Sequence, residues 1–184
     1  MSHQLDLAGV VEKLVLLEHL AHGSKGYCRY RLARSEPDDD VVSEYWGWVK
    51  GVASAYTLEC SIRLRVLLDT VSESADADKQ IGLDSAARVG LVLGERLEGD
   101  FEPTVREACN KIIHARKVAL AWNIAGKGRQ KFRYWSGDLE LAGRKDGRAW
   151  KLRLHTVAWA QAMQRFLYEA DALELTVYVG QDWY

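Results

Sequence analysis

The chain has 184 residues and a mass of 20.8 kDa, with 48% hydrophobic and 28% charged residues and a formal net charge of −1. Such a chain can bury roughly 70% of its unfolded surface around one core without disulfides or structural metal, and its composition excludes a disordered protein. No apolar run approaches the roughly 18 residues of a membrane span. Residues 1–7 lack the basic-then-apolar order of a signal peptide, so the expected location is cytoplasmic. Cys28, Cys60 and Cys109 are odd in number and widely spaced, which argues against a disulfide framework or a zinc ribbon.

The elements follow in chain order. Leu5, Val10, Leu14, Leu17 and Ala21 recur near a helical period, giving an amphipathic helix over 5–21 that Gly23 to Gly26 should end. Residues 27–36 read as either a short helix or an ordered loop. Pro37 followed by Asp38, Asp39 and Asp40 is a strong helix start, because acids there cap free N–H groups and oppose the positive dipole end. The apolar pattern then runs from Val42 through Trp46, Val49, Ala53, Cys60 and Leu64 to Val71, one long helix. Residues 72–80 read as a polar loop, and Asp84-Ser85 as the cap of a helix to about Leu97. Pro103 suits the first turn of a further helix reaching Ala115 or Lys117.

Beyond that point the period shortens to two. Residues 118–125 read as a strand. Leu139 and Leu141 alternate with acids, and Trp150, Leu152 and Leu154 alternate with bases. Asp146-Gly147 between these runs signals a tight hairpin. Thr156 can cap a last helix carrying Ala160, Met163, Phe166 and Ala170 inward, and residues 173–179 alternate like a strand. The expected architecture is therefore mainly α: a single domain over 1–184, an up-and-down helical bundle with a small antiparallel β-hairpin inserted at 118–156 before the C-terminal helix.

The small net charge hides an uneven distribution. Residues 106–165 hold 14 Lys or Arg against four acids, and the remainder holds 11 against 22. Two readings stay open: a polyanion-binding face on an acidic body, or two halves that neutralise each other across the fold or a dimer. On the first reading, Lys111, Arg116, Lys117, Lys127, Arg129, Lys131 and Arg133 are the candidate nucleic-acid contacts.

Chemistry concentrates on the helix after Pro103. Arg106, Asn110 and His114 stand at i, i+4 and i+8, one row on one face beside an apolar stripe of Val105, Cys109, Ile112 and Ile113. A guanidinium, an amide and an imidazole in a row suit RNA cleavage without a metal. Histidine moves protons near neutrality, and arginine matches phosphate oxygens and their developing charge. In that reading His114 is the acid/base, Arg106 the phosphate stabiliser and Asn110 the orienting amide. In the alternative, His114 is a helix cap or a satisfied polar contact.

At these residues the sequence resembles a known family. Residues 105–115, VREACNKIIHA, resemble the motif helix of the HEPN superfamily, whose pattern is an arginine, usually a polar residue next, then a histidine after four to six intervening residues. Asn110-Lys-Ile-Ile-His114 matches the downstream half, Cys109 stands where the family places arginine, and Arg106 lies one turn upstream. The long helix before the motif also fits. The resemblance implies an RNA-directed protein: a metal-independent endoribonuclease of a toxin or phage-defence type, or an inactive relative that binds nucleic acid or a partner protein through the basic hairpin. It also implies a homodimer with packed motif helices, and no cofactor.

Other features are weaker. His19 and His22 near Glu18 have metal-ligand spacing without a third ligand, and read as a surface pair. Gly126-Lys-Gly-Arg129 lacks the phosphate-loop pattern and reads as a basic hairpin tip. Tyr134, Trp135 and Trp150 among basic residues read either as a base-stacking platform or as buried rings. Cys109 reads as a packed thiol.

Overall fold

The computed structural model describes residues 3–4, 7–32, 41–73, 77–172 and 178–179. In order, these form β1 (His3–Gln4), α1 (Leu7–Leu32), α2 (Val41–Glu73), α3 (Ala77–Ala87), β2 (Gly94–Glu98), α4 (Val105–Ile113), β3 (Lys117–Ala125), a 3₁₀ turn (Gly128–Gln130), β4 (Phe132–Lys145), β5 (Arg148–His155), α5 (Thr156–Ala172) and β6 (Tyr178–Val179). Four strands make one antiparallel sheet in the order β2-β5-β4-β3, and β1 pairs with β6.

The expectation of a mainly helical bundle is corrected here. Helix accounts for 60% and strand for 26% of the described residues, with five helices beside a four-stranded sheet, which is a mixed helix-and-sheet fold. The sheet is large because β4 runs 14 residues and can pair along both sides, and because β2 joins it from outside residues 118–156. A helix over 84–97 does not form. The chain turns after Ala87, Leu93 enters the core, and the His155 amide donates to the Leu93 carbonyl at 2.9 Å, which sets β2 beside β5. Pairing between segments distant in sequence overrides the local helical pattern there.

Two other expectations move. Helix α1 continues through Gly23 and Gly26 to Leu32, because Ser24 and Cys28 are buried and the Ser24 hydroxyl accepts the Trp135 amide at 3.0 Å. Residues 72, 73 and 77–80 are helical where a loop is expected, and 74–76 lie outside the described residues. So do Pro37 to Asp40, the expected start of α2, and residues 173–177 of the expected tail strand.

The long helix, the hairpin and the last helix form where the periodicity places them. Asp146 and Gly147 both take positive φ, 50° and 77°, as a two-residue hairpin turn of this kind requires. Trp135, Leu139, Leu141, Leu152 and Leu154 point from the sheet into one core with Leu14, Leu17, Leu64, Trp159 and Phe166 from the helices. The outward face of the sheet carries ion pairs instead. Arg153 reaches Glu140 at 2.9 Å and Glu95 at 3.7 Å, and Lys151 reaches Glu98 at 2.9 Å. Thr156 does not cap α5 with its side chain; its hydroxyl is buried without a hydrogen-bond partner among the described residues.

Candidate functional site

Helix α4 is only nine residues long, too short to persist alone in water, so its ends and its packing hold it. The Thr104 hydroxyl accepts the Glu107 amide at 3.1 Å, and the Asp84 carboxylate accepts the Val105 amide at 2.8 Å. Pro103 thus lies outside the helix, before its cap. Val105, Ala108, Cys109 and Ile112 are buried, which fixes the rotation of the helix. His114 closes the last turn, its amide donating to the Asn110 carbonyl at 3.0 Å. Two residues on, the Arg116 amide donates to Ala142 O at 2.9 Å and joins the end of α4 to the sheet.

The structure divides the predicted row. Asn110 and His114 share the wall of a cleft of about 520 Å³ between α4 and the β4–β5 hairpin. Arg106 is not in that wall; its guanidinium is held by Asp69 at 2.7 Å. The cleft takes its arginine from α2 instead. Arg65 lies in the wall, and its Nε donates to the Asn110 side-chain oxygen at 2.9 Å. The Asn110 amide in turn donates to Glu107 at 3.3 Å, so both ends of the carboxamide are fixed. Arg65 also pairs with Asp69, which therefore bridges two guanidinium groups. Burial and, second, the neighbouring Arg106 guanidinium lower the Arg65 pKa, and arginine still keeps its charge at neutral pH.

Sequence reasoning missed Arg65, whose one local signal is the i,i+4 pair with Asp69. Arg116, Arg144 and Lys145 also line the cleft, with Asp146 as an opposing acid. The Arg144 guanidinium donates to Gly147 O at 2.9 Å, bracing the hairpin tip. Gly143 permits the floor. A Cβ there would sit 2.3 Å from the Trp150 indole and 3.0 Å from His114 O, so only glycine leaves room for that ring and for the end of α4 against β4.

The candidate nucleic-acid contacts separate in the same way. Arg116 lines the cleft. Lys111 does not serve as a surface contact: it is 5% exposed, paired with Glu107 at 3.1 Å, with the Phe101 and Trp150 ring centroids 4.1 and 4.6 Å from its ammonium. Arg133 lies over the rings of both Trp46 and Trp122, at 4.0 and 4.7 Å from their centroids. Lys117, Lys127 and Lys131 are exposed on or beside the outer strand β3 and do not line the cleft. The Arg129 side chain lies outside the described residues.

Trp135 and Trp150 are core rings, so the base-stacking reading fails for both. Cys109 is fully buried, and burial pushes its thiol up to about 12, so it stays protonated and unreactive. His19 Nδ1 meets Val15 O at 2.8 Å, a contact within its own helix. Among the described residues no three His, Cys, Asp or Glu side chains gather as a metal site, and no helix is long and apolar enough to cross a membrane.

A second hollow, about 560 Å³, lies between α1 and α2 against Tyr27, Tyr45 and Trp48. Arg31 and Glu44, of opposite sign, both line it and give it no cationic excess. At His114, by contrast, three arginines and two lysines line the cleft beside an imidazole. Compared with family models, curated proteins and solved structures, the chain matches none.

Proposed function

We propose that the protein is RNA-directed and holds a backbone phosphodiester in the His114 cleft. The observation that carries this reading is the gathering of Arg65, Arg116, Arg144 and Lys145 around one exposed imidazole, with Asp146 and the already paired Glu107 as the acids nearby. Guanidinium groups match phosphate oxygens, and the cleft concentrates their field. The likeness of residues 105–115 to the HEPN motif helix supports the reading at the level of those residues.

A second reading, cleavage, is favoured by the shared wall of His114 and Arg65. His114 would take the proton from the ribose 2′-OH or give one to the departing 5′-oxygen. Arg65, held by Asn110, would meet the charge that develops on the phosphorane. Arg106 has no part in this, since Asp69 holds it outside the wall.

Binding of single-stranded RNA, followed by fluorescence anisotropy at two salt concentrations, tests the first reading. Arg116→Ala is expected to weaken affinity about three- to tenfold and to lower the log–log salt slope by about one, the signature of one lost phosphate contact. Affinity indifferent to salt would overturn it. In the same samples with EDTA, cleavage predicts 2′,3′-cyclic phosphate ends and a rate that falls about 10²–10⁴-fold in His114→Ala, with binding retained. Equal cleavage by that variant would remove His114 from the chemistry.

A further inference from the structure

The cleft does not stop at the hairpin tip. A second cavity of about 460 Å³ opens beside it and shares the wall formed by Lys111, Lys145, Asp146 and Trp150. Its own side adds two groups of a different kind, Arg148 on the first residue of β5 and Phe101 in the segment before α4. Arg148 is exposed and Phe101 half-buried, and both line the cavity, which thus holds a cation and an aromatic residue. The buried Lys111 underlies the junction, fixing Phe101 and Trp150 about one ammonium. Asp100 also lines the cavity, and Arg96 answers its charge at 3.2 Å.

We propose that this cavity is a second nucleotide subsite, taking the nucleotide reached through the next phosphate along from the phosphodiester held at His114, with its base on Phe101 and that phosphate at Arg148 and Lys145. This rests on the reading of the His114 cleft as a phosphodiester site. The substrate class it defines is single-stranded RNA of several nucleotides. A base stacked within a duplex has no free face for Phe101, and a mononucleotide fills one cavity only.

Two probes separate the subsites: a single-stranded decaadenylate, which can enter both, and adenylyl-adenosine, whose single phosphodiester fills the His114 cleft. The chain should bind the decamer at least about tenfold more tightly, since stacking one base and adding one phosphate contact each contribute severalfold. Arg148→Ala and Phe101→Leu should each weaken the decamer about three- to tenfold and leave the dinucleotide unchanged, while Arg116→Ala weakens both probes. If both probes bind and the Arg148 and Phe101 variants leave the decamer unaffected, the second subsite is wrong and the cleft reading stands. If neither probe binds the wild-type chain, both fail together.

Discussion

Glu107→Ala is expected to lower the free energy of unfolding by about 3 kcal/mol, read from urea denaturation. The side chain joins two structures at once: one oxygen pairs with Lys111 at 3.1 Å, and the other accepts the Asn110 amide at 3.3 Å. The Lys111 side chain is almost wholly buried, so removing its partner strands an ammonium with little access to water. The flanking Phe101 and Trp150 rings offset part of that loss, and alanine itself favours the helix. The double variant Glu107→Ala with Lys111→Met should recover most of the stability, because an apolar chain of similar length replaces the stranded charge. A loss below about 1 kcal/mol in the single variant would mean that Lys111 finds water, and that the floor between the two cavities is not dry.

Trp135→Ala should cost about 3–5 kcal/mol by the same measurement. Trp135 is fully buried near the start of β4, where its amide donates to the Ser24 hydroxyl and its indole N–H to Asp138 O at 2.8 Å. It therefore pins α1 to the sheet, and truncation leaves both a cavity and an unfilled acceptor. An unchanged urea slope with a lowered midpoint would show that the two-layer packing itself is weakened. A cost under about 1.5 kcal/mol would contradict its place at the junction.

The same residue explains why part of the fold was hidden in the sequence. Helix α1 carries two glycines that weaken it locally, and only the contact with Trp135, 111 positions away, shows why the helix continues. Strand β2 is short and its residues after Gly94 are exposed, so it lacks the alternation that marks β4 and β5, and its register is set by Leu152 to Leu154. The mixed fold class follows from that distant pairing. By contrast α2, α4, α5 and the Asp146-Gly147 hairpin each carry their own pattern: a repeating apolar stripe, a cap or a positive-φ pair.

The candidate site divides along the same line. Asn110 and His114 meet in one wall because a single helical turn fixes their spacing. Arg106 obeys the same spacing, but Asp69 on α2 captures it. Arg65 enters the cleft from 45 positions away, a relation that helical periodicity does not encode. The basic segment is likewise only partly a free surface, since Lys111, Lys151 and Arg153 are answered by Glu107, Glu98 and Glu140.

The most direct test of the central claim is an amide chemical-shift titration of the ¹⁵N-labelled chain with single-stranded decaadenylate at low salt. The largest shifts are expected at residues 110–116 and 143–150, the end of α4 and the β4–β5 hairpin that enclose the cleft. Shifts confined to the hollow between α1 and α2, around Tyr27 and Trp48, would contradict it.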